Sequence, residues 1–186
     1  DEKLALLGSN VTFKNAEGKI TINKQSDDLI SFYNDSVKLK NEMMCRNIFY
    51  HSSIMYRKSF AISVGWYSDK LEYSQDYDLS LKLIKNFNFK VLKEALTVIT
   101  LRNESMTESR FLRKTRLEEY LCILKQCRID FKMDKTTSNI NLRAILFAQL
   151  KLDLISDIGT VLKFIKIIKM FIRFPSILTL LLKKIN

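Results

Sequence analysis

Cysteine, histidine, glycine and proline are all scarce in this chain of 186 residues. Its three cysteines, at positions 45, 122 and 127, are an odd number without a CxxC pair, and His51 is the only histidine. These numbers exclude a disulfide framework and a zinc site built from cysteine and histidine. With four glycines the chain also has no glycine-rich phosphate loop. The cysteines are therefore expected to be buried free thiols.

Long apolar segments are absent as well. The longest stretches without a charged residue fall well short of the roughly 20 residues that a membrane-spanning helix needs. No signal peptide opens the chain. Together with the free cysteines, these features predict a cytoplasmic protein, and a basic C-terminal part would allow peripheral contact with the inner face of the membrane.

Positive charge is concentrated in the C-terminal part of the chain. Residues 1–109 contain 15 Lys and Arg against 14 Asp and Glu, whereas residues 110–186 contain 16 against 6. The net charge of +11 therefore comes almost wholly from the second part. This asymmetry predicts one domain over residues 1–109, followed by a basic amphipathic helical tail over residues 110–186.

The apolar patterns predict alternating strands and helices in the first part. Strands are expected over 4–13, 20–22 and 48–56 and two short strand segments over 89–100, with helices after residue 26 and near residues 57 and 74. In the second part we expect a helix from Arg110, a polar linker over 134–141, a helix over 142–155 and a helix over 157–174 before Pro175.

Two carboxylates stand two residues apart in the stretch Ser74-Gln75-Asp76-Tyr77-Asp78, directly ahead of an apolar helical pattern. With Ser74 as the N-cap, Asp76 and Asp78 fall in the first turn, where free backbone amides and the helix dipole favour anions. The apolar residues behind them form two i, i+4 rows that would anchor the helix in a core. Acids at this position are either simple capping residues or groups that carry chemistry, and the pattern alone leaves both open.

Four segments occur in a fixed order along the chain. They are His51-Ser52-Ser53-Ile54-Met55-Tyr56-Arg57, then Gly65-Trp66-Tyr67, then Gln75-Asp76-Tyr77-Asp78-Leu79, and then Arg102 with Ser105-Met106-Thr107, after a strand Leu92-Lys93-Glu94-Ala95-Leu96. Their order and spacing resemble the second half of family 2 glycosyltransferases with the GT-A fold, over residues 4–109. The resemblance implies an α/β fold, with a partial GT-A (Rossmann-like) mixed sheet followed by an α-helical C-terminal extension.

The same resemblance implies an enzyme. It would transfer a sugar from a nucleotide-sugar donor, with inversion, to a saccharide or lipid-linked acceptor in cell-surface polysaccharide synthesis. Asp76 would be the general base that removes the proton from the acceptor hydroxyl. Substrate contacts are expected from His51, Ser52, Trp66, Tyr67, Gln75, Asp78 and Arg102.

Three of these residues have structural alternatives. A single histidine on an apolar strand, such as His51, is often a hydrogen-bonded core residue rather than a functional one. Asp78 also fits a helix cap. Trp66 stands where the family often has a second glycine, and its indole would either line the acceptor pocket or only pack.

Two features depart from the family pattern. Glu104 stands where many relatives have a histidine that faces the donor diphosphate or the metal, and no DxD-type pair of acids ends an apolar strand. The complete enzyme is expected to use Mg²⁺ or Mn²⁺, but no metal ligand is predicted in this chain. The chain is therefore interpreted as the acceptor-side half of such an enzyme, either a fragment or a truncated gene product. By itself it is expected neither to bind a nucleotide sugar tightly nor to turn it over.

The last segment, residues 157–186, has an amphipathic pattern. Lys163, Lys166, Lys169 and Arg173 fall on one arc of a helical wheel, opposite apolar residues. This pattern is typical of a helix lying on an anionic membrane surface, and also of a helix packed on the domain with a solvated basic face. The alternative function is thus a non-catalytic module that binds a membrane or a partner protein. Nucleic acid is not expected as a partner, because the charges lie on amphipathic helices rather than beside exposed aromatic residues.

Residues 157–186 are expected to bind vesicles that contain anionic lipid, because each cation near such a surface contributes about 1 kcal/mol. Added salt should weaken this binding by screening the charges. Co-sedimentation with anionic and with neutral vesicles measures the effect. Equal binding to both kinds of vesicle, or none to either, would contradict the expectation and favour a packed helix.

Overall fold

The structure is a computed structural model that describes residues 2–15, 17–21, 33, 35–100 and 110–155. Strand β1 (Leu4–Lys14) organises its fold. The other elements, in chain order, are β2 (Ile20–Thr21), α1 (Ser36–Met43), a 3₁₀ turn (His51–Ser53), β3 (Ile54–Tyr56), α2 (Lys58–Ser63), α3 (Gln75–Asn86), β4 (Asn88–Thr100), α4 (Arg110–Asp130) and α5 (Lys135–Ile155). The helix predicted after residue 26, the loop with Arg102 and the segment 157–186 lie outside the described residues.

β1 is the central strand of a four-stranded sheet. One edge of β1 pairs in parallel with β4 over its whole length. The other edge pairs antiparallel with β3 at Leu6, Leu7 and Gly8, and with β2 at Phe13 and Lys14. The sheet is therefore mixed but mostly antiparallel, and two helices packed together follow it. The predicted α/β class, a mixed sheet with a helical C-terminal extension, is confirmed.

Helix α3 supplies much of the core, because its apolar residues recur at helical spacing. Its buried side chains pack against β1 and α1 in one cluster; the members from α3 are Tyr77, Leu79, Leu81, Leu83 and Ile84. The hydroxyl of Tyr77 donates to the carbonyl of Met43 at 2.6 Å, which satisfies the one polar group of this buried ring. The first turn of α3 is thereby held in place on a rigid support.

Helix α4 connects the α/β layer to α5. Ile123 and Cys127 of α4 belong to the core beneath the sheet, whereas Leu121 and Leu124 pack with Ile145 and Ala148 of α5. One helix thus has apolar contacts on two sides. Within the described part of the chain, no helix combines the length and the apolar character that a membrane crossing requires.

Two of the strand predictions need correction. The strand expected over 48–56 is only Ile54–Tyr56, because both the amide and the hydroxyl of Ser53 bond to the carbonyl of Tyr50 and close a 3₁₀ turn. The two segments expected over 89–100 form one strand, β4. Shifts in its register with β1, between Ser9 and Val11, account for the broken alternation of the sequence.

The polar linker expected over 134–141 is also wrong, since α5 already begins at Lys135. Asp134 caps this helix, because its carboxylate accepts from the amide of Thr137 at 2.7 Å and from its hydroxyl at 3.1 Å.

Among the cysteines, Cys45 and Cys127 are buried free thiols as expected, and burial raises the pKa of each to about 12. Cys122, in contrast, is exposed.

Gly8 on β1 lies directly against a ring of the core. A Cβ added at Gly8 would come within 2.5 Å of the ring of Phe49, which is itself buried. Gly8→Ala is therefore expected to lower the free energy of unfolding by about 1–3 kcal/mol through overpacking, as measured by urea titration. The double variant Gly8→Ala/Phe49→Leu should recover part of the loss. Unchanged stability in Gly8→Ala would mean that the ring has room to move.

Candidate active site

Asp76 lies in the first turn of α3, which begins at Gln75 as the sequence predicts. Ser74 occupies the N-cap position as predicted, although its side chain makes no capping hydrogen bond. The half-buried carboxylate of Asp76 accepts from the side-chain amide of Asn47, with 3.3 Å between Nδ2 and Oδ2. It also lies at the positive end of the helix dipole. Asn47 and the helix together fix the orientation of this acid.

Asp78 faces a different side of α3, because residues two apart are separated by about 200° around a helix. Its Oδ2 pairs with Nζ of Lys82 at 2.7 Å, one turn further along. It lines a separate cavity of about 200 Å³ together with Cys122 and Gln126 of α4. The two carboxylates of the stretch thus line different cavities. The side-chain amide of Gln75 donates to the carbonyl of Leu71 and closes the turn ahead of the helix.

The carboxylate of Asp76 lines a cleft between α3, α4 and α5. The cleft has a volume of about 840 Å³, within the range of small-molecule sites. Its polar lining comes from Asn47, Tyr73, Ser74, Arg116 and Lys151, and its apolar lining includes Leu117, Tyr120, Leu154 and Ile155. A ligand in this space would meet one carboxylate, two cationic side chains and an apolar wall.

The ring of Tyr120 stacks on that of Tyr77, with centroids 6.0 Å apart, where both residues line the cleft. The hydroxyl of Tyr120 donates to the carbonyl of Cys45 at 3.0 Å. Burial raises the pKa of Tyr120 to about 12, and burial also raises that of Tyr77. Both tyrosines are therefore neutral near pH 7 and contribute no charge to the cleft.

A second group of predicted residues forms an aromatic cluster around Tyr67. Its hydroxyl lies 3.1 Å from Nε2 of His51 and 2.9 Å from the hydroxyl of Tyr56. The ring of Trp66 meets that of Tyr67 edge-on, with centroids 5.5 Å apart. Burial raises the pKa of Tyr67, and the hydrogen bond with Tyr56 and the charges of Tyr56 and Asp76 raise it further.

Trp66 has an unusual backbone conformation at the end of α2. Its φ is 59°, in the left-handed region that bulky residues rarely occupy, directly after Gly65 with a φ of 93°. The amide of Trp66 donates to the carbonyl of Ala61 at 2.8 Å, which closes the end of the helix. Such a conformation costs about 1–3 kcal/mol and is most often found at functional sites. The indole it presents is 37% exposed.

Ser52 and Arg102 are the remaining predicted residues. Ser52 lies exposed in the 3₁₀ turn, next to His51, and its carbonyl accepts from the hydroxyl of Thr97 at 3.5 Å. Arg102 lies outside the described residues. The structure therefore brings His51 and Trp66 together with Tyr67 and leaves Ser52 beside His51, whereas none of the four lines the cleft around Asp76.

Several residues around Asp76 were not identified from the sequence. Asn47 forms a hydrogen bond to Asp76, and Tyr56 forms one with Tyr67. Arg116 of α4 and Lys151 of α5 line the cleft. Asn47 lies 29 residues before its partner Asp76, and no local pattern indicates such a contact. Tyr56 belongs to a segment that carries the family resemblance, which was the one available signal.

The described residues do not provide a metal site. They contain no group of three histidine, cysteine, aspartate or glutamate side chains arranged to hold an ion. The Mg²⁺ or Mn²⁺ expected for the complete enzyme therefore has no ligand set among them.

Comparison with known proteins does not identify a family. No model of a known protein family matches the chain, and no curated protein sequence matches it. Function must therefore be inferred from the geometry of the site and from the motifs of the sequence.

Proposed function

We propose that this chain forms the acceptor-side part of an inverting glycosyltransferase, with Asp76 as its general base. The observation that carries the proposal is the half-buried carboxylate of Asp76, held by Asn47 at the edge of a cleft of about 840 Å³. A general base must be fixed within hydrogen-bond reach of the group it deprotonates, and a cleft beside it must admit the substrate. The held carboxylate of Asp76 and the cleft beside it support this role.

In the proposed reaction, the oxygen of an acceptor hydroxyl attacks the anomeric carbon of a nucleotide sugar. The bond between that carbon and the diphosphate oxygen breaks, and the nucleotide diphosphate leaves with the bonding electron pair. The proton of the acceptor hydroxyl passes to the carboxylate of Asp76. Because attack and departure occur on opposite faces of the sugar, the configuration at the anomeric carbon is inverted.

The aromatic cluster supplies the proposed contacts to the acceptor. Sugars present apolar C–H faces and rims of hydroxyl groups, so an exposed indole beside phenol and imidazole groups suits them. Trp66 offers the ring, and His51 and Tyr67 offer polar atoms 3.1 Å from each other. In this proposal, the strained backbone of Trp66 serves to present the indole to the acceptor.

Sugar transfer by the complete enzyme, of which this chain would be the acceptor-side part, tests this proposal. The assay measures nucleotide release and product formation with a panel of UDP- and GDP-sugars as donors, and saccharides and lipid-linked saccharides as acceptors. Transfer that depends on Asp76 supports the proposal. Absence of transfer with every donor and acceptor, or transfer that Asp76→Asn leaves intact, contradicts it.

A further inference from the structure

We propose that Glu119 of α4 is a positioning residue for Asp76, because its carboxylate holds the loop that leads into the first turn of α3. The inference rests on the proposed function, since it assigns Glu119 a role in the turnover that Asp76 would catalyse. Glu119 was not singled out from the sequence, where it is one of two adjacent acids, Glu118-Glu119.

The geometry is that of a clamp on three successive amides. Oε1 of Glu119 accepts from the backbone amide of Glu72 at 2.7 Å, and Oε2 accepts from those of Tyr73 at 3.0 Å and Ser74 at 2.9 Å. These amides belong to the residues just ahead of α3, whose first residue is Gln75. Bonds between an anion and amide donors are shorter and stronger than those between neutral groups. Glu119 therefore fixes the path of the backbone two residues before Asp76.

The clamp lies beside a helix start that lacks a side-chain cap. The side chain of Ser74 does not bond to the amides of the first turn, so α3 has no side-chain cap of its own. An acid from another helix, 45 residues further along the chain than Ser74, supplies negative charge near the helix start instead. A free helix start frays readily, and fraying would move Asp76 relative to the cleft.

Glu119 can serve as a clamp because its own position is fixed. Its side chain is only 9% exposed, among residues of α4 that pack on the α/β layer. The next residue, Tyr120, bonds to the carbonyl of Cys45, and Ile123, one turn further, lies in the core. A carboxylate on a supported helix holds its partners more accurately than one on a loop.

The expected consequence is a fall in kcat that is larger than any change in KM. A misplacement of a catalytic group by about 1 Å can lower the rate about 100-fold. KM should change less than kcat, because the proposed acceptor contacts come from the cluster around Tyr67, although Tyr73 and Ser74 of the clamped loop also line the cleft. A role in stability alone would instead lower the amount of folded enzyme and leave kcat per folded molecule unchanged.

The experiment compares four variants of the complete enzyme: Glu119→Gln, Glu119→Ala, Asp76→Asn, and Glu118→Gln as the matched control. Glu118 is half exposed and lies 4.0 Å from Lys114, away from the clamped loop. Glu119→Ala is expected to lower kcat per folded molecule about 100-fold, and Glu119→Gln less, because its amide oxygen can still accept. Glu118→Gln should retain wild-type kcat. Amide hydrogen exchange should become faster at Glu72, Tyr73 and Ser74 in the Glu119 variants only.

The double variant Asp76→Asn/Glu119→Gln shows whether the effect acts through Asp76. Its kcat should be no lower than that of Asp76→Asn alone, because the base that Glu119 would position is already absent. Turnover that survives Asp76→Asn overturns the proposed base and, with it, the role of Glu119. Turnover that is lost in Asp76→Asn but kept in both Glu119 variants overturns the role of Glu119 alone. Failure of both Glu119 variants to fold also overturns it, in favour of a purely structural role.

Discussion

Asp76→Asn is expected to lower kcat for sugar transfer about 100- to 10,000-fold, the usual contribution of a positioned general base. Asparagine has the same shape as aspartate but cannot take up the proton of the acceptor hydroxyl. The hydrogen bond from Asn47 can be kept, because the side-chain oxygen of the new residue is also an acceptor. The fold should therefore persist, and KM should change little.

The matched control is Asp78→Asn, in the same turn of the same helix. Asp78 pairs with Lys82 through a buried oxygen and lines a different cavity, so its replacement should cost about 1–3 kcal/mol of stability and leave turnover per folded molecule within about tenfold of wild type. Thermal melting of both variants checks that each is folded. Equal losses of turnover in Asp76→Asn and Asp78→Asn would show that the turn as a whole, and not Asp76, is what the reaction needs.

Helix α3 could be predicted because its information is local. The apolar rows behind Asp76 have the period of a helix, and the structure buries them against β1 and α1. β1 could be predicted for the same reason, although its pairing with β4 could not. In contrast, a 3₁₀ turn at His51 depends on the bonds of Ser53 to Tyr50, which compete with the strand propensity of that segment.

The surroundings of Asp76 could not be predicted, because they come from distant parts of the chain. Asn47 precedes it by 29 residues, and Glu119 binds a loop that lies 45 to 47 residues earlier. Such contacts depend on how the helices pack against the rest of the fold. The spacing of apolar residues, every two in a strand and every 3.6 in a helix, does not specify this packing. The polar first turn of α5 shows a related limit. In sequence, Lys135, Thr136 and Thr137 are typical of a linker. In the structure they form the first turn of a helix, because Asp134 caps it.

Asn141→Leu is expected to destabilise the helical part of the fold strongly. Asn141 is 0% exposed, and its amide donates to the carbonyl of Met44 at 2.7 Å and to that of Leu124 at 3.2 Å. Its oxygen accepts from Arg128 at 3.2 Å. One side chain thus joins α5 to α4 and to the residue that follows α1.

Leucine has nearly the same shape as asparagine but offers no hydrogen bond, so two buried carbonyls would each lose a donor. The expected loss is about 3 kcal/mol in the free energy of unfolding, since a buried polar group without a partner costs about 1–3 kcal/mol. For a chain of this size that corresponds to a fall in Tm of roughly 6–12 °C. Thermal melting and urea titration measure it. The control is Asn139→Leu, the same substitution at an exposed position two residues earlier, which should stay within about 0.5 kcal/mol of wild type. Equal stability of the two variants would mean that the bonds of Asn141 only replace bonds to water and do not hold α5 on the rest of the fold.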